Sequence, residues 1–118
     1  MTIDGMHFFI LEDEPIIAFG LEDLLLDEGA KVSLATALDE AEELLGSASF
    51  DFGILDVNVR GEKSYGVARK LLDQGVPVMF ATGYGDNAHA DGFENVPTVT
   101  KPYSIHQIKD AVEQLSRV

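Results

Sequence analysis

The chain has 118 residues, 46% of them hydrophobic and 25% charged, which fits one soluble globular domain with a substantial core. Its 21 acidic and 8 basic residues give a net charge of −13, which argues against binding to nucleic acid or anionic membranes, because both require a Lys/Arg surface. Cysteine is absent, so disulfides, thiolate zinc sites and thiol catalysis are excluded. The N-terminus lacks a signal-peptide pattern and no apolar run nears the ~20 residues of a membrane span, so we expect a cytoplasmic protein.

The first third of the chain predicts two strands around one helix. Residues 6–11 form a nearly continuous apolar run, which is typical of a buried central strand. Pro15 suits the first turn of a helix, and apolar residues recur at helical spacing over 16–25. Gly29 ends this predicted helix. The alternating pattern over 31–35 predicts a strand nearer the sheet edge.

The middle third predicts a helix, a strand and a second helix. A short amphipathic helix is expected over 37–45, with Gly46 stopping it. The apolar run 52–56 ends abruptly in a carboxylate and predicts another buried strand. Residues 57–63 are predicted to form a loop. Ser64 is then the expected N-cap of a helix through residue 74.

The last third repeats the pattern. Residues 76–81 predict a buried strand, and the loop formers that follow leave room for at most two turns of helix over 87–93, weakened by Gly92. A short strand over 97–100 precedes a final helix capped by Ser104.

Strand and helix therefore alternate five times across a single domain, residues 1–118. Such alternation implies a parallel sheet with helices on both faces. We predict a flavodoxin-like (βα)5 three-layer sandwich with five parallel strands in the order 2-1-3-4-5 and a short or labile fourth helix.

Polar side chains follow four of these strands. Considered alone, Asp56 is better explained by a turn or a helix cap than by chemistry. In the predicted order, however, Glu12, Asp13 and Asp56 meet at the carboxyl edge of adjacent strands, with Thr82 and Lys101 beside them. Carboxylates about 4 Å apart repel by roughly 4 kcal/mol at an effective dielectric near 20, so they need a cation, shared protons or separation. Oxygen ligands without His or Cys favour Mg²⁺.

A lysine and a hydroxyl opposite such a metal make a phosphoryl-transfer site. A carboxylate attacks as nucleophile while the cation and the lysine bind the phosphoryl oxygens. The expected product is an acyl phosphate on Asp56.

These motifs resemble those of the response-regulator receiver domain of two-component signalling, over essentially the whole chain. The matching motifs are Glu12-Asp13, Leu55-Asp56, Thr82 and Lys101-Pro102, each after a predicted strand. The resemblance implies that Asp56 is the phosphoacceptor, that Mg²⁺ is the cofactor, and that Glu12 and Asp13 are metal carboxylates, with Asp13 binding directly.

The same resemblance implies roles for four further residues. The backbone carbonyl of Asn58 would complete the Mg²⁺ shell, Thr82 would hydrogen-bond one phosphoryl oxygen, and Lys101 would pair with another. Pro102 lies where receiver domains often carry a cis peptide bond.

Three features depart from the family pattern. Thr98 stands where most receiver domains carry the strand-five aromatic that moves with the strand-four threonine. Arg60 stands where the loop after the phosphoacceptor commonly has a proline. The segment between Thr82 and Lys101 is shorter and more polar than usual, so its helix is expected to be partly melted.

The string from Phe80 to Tyr84 resembles a receiver subgroup with a Phe-Ala-Thr-Gly signature, common in stand-alone alphaproteobacterial regulators and often paired with kinases of the HWE or related type. One hypothesis is that Tyr84 partly replaces the missing aromatic at Thr98 as the moving switch group. The alternative, that Tyr84 is simply a half-buried loop aromatic, is equally open.

We therefore expect a signalling phosphoacceptor that takes its phosphoryl group from a histidine kinase and promotes only its own phosphorylation and dephosphorylation. With no effector domain after Val118, output would pass through a downstream protein or a phosphotransfer protein, although a segment of a longer regulator would have the same features. The alternative is a non-phosphorylated flavodoxin-like interaction module with vestigial acids. A small-molecule phosphatase fits less well, because Asn58 occupies the place of its general acid.

Overall fold

The computed structural model describes residues 3–82, 93, 96–101 and 104–115. Its strands are β1 (His7–Leu11), β2 (Lys31–Ala35), β3 (Phe52–Asp56), β4 (Asn58–Val59), β5 (Glu62–Lys63), β6 (Val78–Thr82) and β7 (Thr98–Thr100). Five of them form one parallel sheet in the order β2-β1-β3-β6-β7. Counted among the sheet strands alone, this is the predicted order 2-1-3-4-5, and the predicted flavodoxin-like fold is confirmed.

Four helices lie within the described residues: α1 (Pro15–Asp27), α2 (Leu38–Ser47), α3 (Tyr65–Asp73) and α4 (Ile105–Leu115). The helix predicted over 87–93 falls almost entirely outside the described part of the chain. None of the described helices is long and apolar enough to cross a membrane.

The three-layer arrangement follows from the alternation of side chains along the strands. In β1, Phe8 and Ile10 pack on one face of the sheet against α1 and α4, in a core that includes Leu25 and Ile108. Phe9 points to the other face, where α2 and α3 contribute a second core. Because both faces are covered, β1, β3 and β6 are buried almost throughout, as parallel strands require.

Two cap predictions have different outcomes. Ser104 caps α4 as predicted: its Oγ accepts the Gln107 N–H at 3.3 Å, and its own N–H donates to Gln107 Oε1 at 2.8 Å. Ser64 does occupy the N-cap position of α3, but its hydroxyl makes no cap hydrogen bond. It donates instead to the backbone oxygen of Asp56 at 2.6 Å, which ties the end of β3 to the start of α3.

Two local predictions are wrong. Gly46 does not stop α2, which runs through it to Ser47; an added Cβ there would meet nothing within 4 Å, so the position is open and tolerant. Residues 57–63 are not simply a loop, because they contain the antiparallel hairpin β4–β5 with the turn Arg60-Gly61 at its tip.

Helix α1 exposes large apolar side chains on the side away from its buried residues. Ile16 is 89% exposed, Phe19 57% and Leu26 51%. Acidic residues flank these side chains along the same helix. The outer face of α1 is thus an apolar stripe on an acidic surface.

Candidate functional site

The register of the sheet brings three carboxylates together at its carboxyl edge. Leu11 of β1 pairs with Leu55 of β3, so Glu12 and Asp56 are the next residues on neighbouring strands. Glu12, Asp13 and Asp56 each offer a carboxylate oxygen, and these oxygens lie within 4.8 Å of one another. Glu12 and Asp56 are buried, whereas Asp13 is half-buried. The three predicted metal carboxylates therefore converge.

Lys101 reaches into this cluster from the end of β7. Its Nζ lies 2.6 Å from Glu12 Oε1, 3.0 Å from Asp56 Oδ2 and 3.9 Å from Glu14 Oε1, and its side chain is 6% exposed. Its backbone N–H donates to the Thr82 carbonyl oxygen at 2.7 Å, which fixes where the side chain begins. One ammonium thus faces several carboxylates, and the pocket stays net negative.

The electrostatics of the pocket shift three pKa values. Burial raises the pKa of Glu12 to about 7, assisted by the charge of Asp56 and opposed by hydrogen bonds from Lys101 and from the Glu14 backbone. Burial likewise raises the pKa of Asp56, against the pull of Lys101. For Lys101, burial acts to lower the pKa, but hydrogen bonds to Glu12 and Asp56 outweigh it and leave the pKa raised. A further cation would therefore stabilise the ionised carboxylates.

The donor set fits a hard divalent cation. All three members of the cluster supply carboxylate oxygens, which Mg²⁺ prefers. Asn58 lies two residues after Asp56 at the start of β4, and its backbone N–H is 3.4 Å from Asp56 Oδ1. The predicted role of its carbonyl as a ligand stays a prediction.

Thr82 ends β6 directly beside Asp56. Ala81 is the register partner of Asp56, and Thr82 is the next residue, with a buried side chain. The predicted switch position Thr98 pairs with Phe80 in the sheet and is half-buried. Tyr84 and Pro102 lie outside the described residues, so the switch hypothesis and the cis peptide remain predictions.

Arg60 and Ser64 have roles in the site that the sequence did not predict. The backbone N–H of Arg60 donates to Asp13 Oδ2 at 2.8 Å, and the Ser64 hydroxyl holds the backbone of Asp56. The available sequence signal for the hairpin is the Arg60-Gly61 pair at its turn, and it is weak because arginine is uncommon in such turns. Phe93 has no predicted role beyond the helix expected over 87–93; it is a buried aromatic in ring contact with both Tyr65 and Phe80.

Comparisons with known sequences agree with this geometry. The family model of the response regulator receiver domain matches residues 8–113. The TorCAD operon transcriptional regulatory protein TorR of Escherichia coli K12 is 27% identical over 118 residues, covering 92% of this chain and 49% of TorR. The sensory transduction protein LytR of Staphylococcus haemolyticus is 29% identical over 120 residues, which cover 93% of this chain and 45% of LytR. The chain spans about half the length of these relatives.

Solved structures are similar over nearly the whole chain. SdrG from Sphingomonas melonis Fr1 is 34% identical with a TM-score of 0.79, covering 98% of this chain and 99% of SdrG. The receiver domain of PhyR from Erythrobacter litoralis is 26% identical with a TM-score of 0.82, covering 96% and 91%. The regulator TrrA from Thermotoga maritima, in complex with Mg²⁺ and beryllium fluoride, is 23% identical with a TM-score of 0.80, covering 93% and 98%. At that identity, TrrA supports the fold alone.

Proposed function

Because the chain belongs to the response regulator receiver domain family, we propose that it is a two-component phosphoacceptor in which Asp56 receives a phosphoryl group from a histidine kinase. The observation that carries the proposal is the environment of Asp56. Its buried carboxylate ends β3 next to two other acids and is held by Lys101 at 3.0 Å. Residues 1–118 would act as a single receiver domain.

The cofactor that fits the acidic cluster is Mg²⁺. The carboxylates of Glu12, Asp13 and Asp56 and the backbone carbonyl of Asn58 would hold it. When bound, Mg²⁺ supplies positive charge that offsets the negative charge of the phosphoryl oxygens. The raised pKa values of Glu12 and Asp56 support this proposal, because they reflect carboxylates that are poorly stabilised by Lys101 alone.

The residues of the chain then divide the transfer step among them. A carboxylate oxygen of Asp56 attacks the phosphorus, an O–P bond forms, the P–N bond to the kinase histidine breaks, and the imidazole leaves with its electron pair and takes up a proton. Lys101 moves from Asp56 Oδ2 to a phosphoryl oxygen, since its Nζ already lies at that carboxylate. The Thr82 hydroxyl donates to another phosphoryl oxygen. The chain promotes only its own phosphorylation and dephosphorylation.

The partner proposals rest on sequence similarity to the signature subgroup. Phe80, Ala81 and Thr82 of the Phe-Ala-Thr-Gly string lie on β6 beside the site. We propose a kinase of the HWE or related type as phosphoryl donor, and a downstream protein or phosphotransfer protein as receiver of the signal. Phosphotransfer profiling against the histidine kinases of the source organism tests this assignment; equal transfer from unrelated kinases would contradict it.

The central test is acetyl phosphate with Mg²⁺, followed by intact-protein mass spectrometry. We expect a single adduct that hydroxylamine removes, as an acyl phosphate requires, and that Asp56→Asn abolishes. Asp73→Asn is the matched control, because Asp73 is an exposed aspartate at the end of α3 and its replacement should leave the adduct unchanged. No adduct on the unaltered protein would favour the non-phosphorylated interaction module, and an adduct that survives Asp56→Asn would exclude Asp56 as acceptor.

A further inference from the structure

Arg60 adopts a backbone conformation that L-residues rarely take. Its φ is +52°, and the next residue, Gly61, has a φ of +84°. Two successive positive φ values form the two-residue turn that matches the twist of a tight hairpin, here between Val59 and Glu62. Asn, Asp and Gly are the usual residues in such turns, so an arginine there needs a compensating contact.

That contact lies at the end of β2. Arg60 Nε donates to the Thr36 carbonyl oxygen at 3.0 Å. Thr36 is itself held, because its N–H and its hydroxyl both donate to Glu40 Oε1, at 3.0 Å and 2.7 Å. The guanidinium therefore ties the hairpin tip to the connection between β2 and α2.

The backbone of the same residue contacts the acidic cluster. The Arg60 N–H donates to Asp13 Oδ2 at 2.8 Å. Asp13 is the least buried of the three clustered carboxylates and follows the end of β1, so its side chain has fewer packing contacts to orient it. A hydrogen bond to one oxygen fixes the plane of the carboxylate and the direction of its remaining lone pairs.

We propose that Arg60 is a positioning residue for Asp13. Its side chain anchors the left-handed turn to Thr36, and the anchored turn presents the N–H that aims the Asp13 carboxylate at Glu12 and Asp56. The inference rests on the proposed function, in which the Asp13 carboxylate holds Mg²⁺. The orientation of that carboxylate then affects how tightly Mg²⁺ binds.

The direction in which Arg60→Ala changes the Mg²⁺ affinity distinguishes a positioning role from a simple charge effect. Arg60 carries a positive charge near a cation site, so charge alone predicts that Arg60→Ala tightens Mg²⁺ binding. Positioning predicts the opposite. Lys63→Ala is the matched control, because Lys63 is an exposed cation on the same hairpin and its removal reports the charge effect. Arg60→Gly removes the anchor while favouring the turn itself, so it tests the anchor separately.

The experiment measures the Mg²⁺ dissociation constant of the four proteins by calorimetry and the hydrogen exchange of the residue-60 amide by NMR. We expect Arg60→Ala and Arg60→Gly to weaken Mg²⁺ binding about fivefold, the effect of one hydrogen bond, and to speed exchange of that amide by a similar factor. Lys63→Ala should leave binding unchanged or slightly tighter. Binding by Arg60→Ala as tight as that of the unaltered protein overturns the proposal, and full affinity in Arg60→Gly overturns the role of the guanidinium.

The outcome is distinguishable from failure of the proposed function. Suppose that the unaltered protein forms no adduct with acetyl phosphate, but both Arg60 variants bind Mg²⁺ more weakly than it does. The phosphoacceptor role is then refuted and the positioning role stands. If the adduct forms on Asp56 and both Arg60 variants bind Mg²⁺ normally, the positioning role alone is refuted.

Discussion

Replacing Glu12 by glutamine should stabilise the metal-free protein at alkaline pH, although it removes a salt bridge. Glu12 is 2% exposed, and burial among other acids raises its pKa from 4.5 to about 7. Because the folded pKa lies above the unfolded value, the folded state binds more protons between these pH values, and the free energy of unfolding falls as pH rises from about 4.5 to about 7. Glutamine stays neutral and escapes this loss.

The rise of the Glu12 pKa from 4.5 to about 7 corresponds to roughly 3 to 4 kcal/mol, since one pKa unit is about 1.4 kcal/mol. We therefore expect Glu12→Gln to exceed the unaltered protein in free energy of unfolding by about 3 kcal/mol at pH 8, and by about 1 kcal/mol at pH 5, where Glu12 is already protonated in the folded state. Urea unfolding in EDTA at the two pH values measures both differences. Glu14→Gln is the matched control: Glu14 is 63% exposed, so its effect should stay within about 0.5 kcal/mol.

Magnesium should narrow the difference in stability between Glu12→Gln and the unaltered protein. At a Mg²⁺ concentration of about 100 Kd the unaltered protein gains about 2.7 kcal/mol, whereas a variant with tenfold weaker binding gains about 1.4 kcal/mol. The advantage of Glu12→Gln at pH 8 should therefore shrink when Mg²⁺ is added. If the free energy of unfolding changes with pH in the same way for Glu12→Gln and the unaltered protein, ionised Glu12 does not destabilise the fold. If the stability advantage of Glu12→Gln is as large with Mg²⁺ as without it, Glu12 is not a ligand.

Three further predictions concern single side chains. Lys101→Met should lower the free energy of unfolding by about 3 kcal/mol at pH 8 and by less at pH 5, because it leaves buried carboxylates without their partner; urea unfolding measures this. Thr82→Ala should leave Mg²⁺ affinity unchanged but slow adduct formation from acetyl phosphate, and Thr82→Ser should restore the rate seen by mass spectrometry. Gly53→Ala should cost about 1 kcal/mol, because its Cβ would lie 3.0 Å from Leu71 Cδ1, whereas Gly46→Ala in open space on α2 should gain about 1 kcal/mol. Equal effects at the two glycines would contradict the packing argument.

The sequence was sufficient for the sheet and for the convergence of the acids. Five alternations of strand and helix allow few topologies, and the order that follows puts Glu12 beside Asp56 before any side chain is placed. Lys101 follows the last strand of the sheet, as predicted, and its Nζ donates a hydrogen bond to Asp56 Oδ2. These features are determined by chain connectivity and burial, and both can be predicted from the pattern of apolar residues.

The hairpin after Asp56 has only a weak signal in the sequence, for a physical reason. Local propensity disfavours positive φ at an arginine, and only the distant Thr36 carbonyl and Asp13 carboxylate make that conformation favourable at Arg60. Ser64 shows the same limit, because its hydroxyl has a better partner in the Asp56 backbone than in its own helix. Long-range polar contacts decide both cases, and a sequence window does not contain them.

The apolar stripe on α1 has a consequence for the colloidal behaviour of the protein. With Ile16 and Phe19 open to solvent, the main protection against self-association is mutual repulsion between chains that each carry a net charge of −13. That repulsion acts over about 10 Å at 0.1 M salt but only about 3 Å at 1 M, and it also fades as acidic groups take up protons. Light scattering should therefore show larger particles in high salt or near pH 5 than in dilute buffer at pH 8. Any measurement at low pH is best made at low protein concentration.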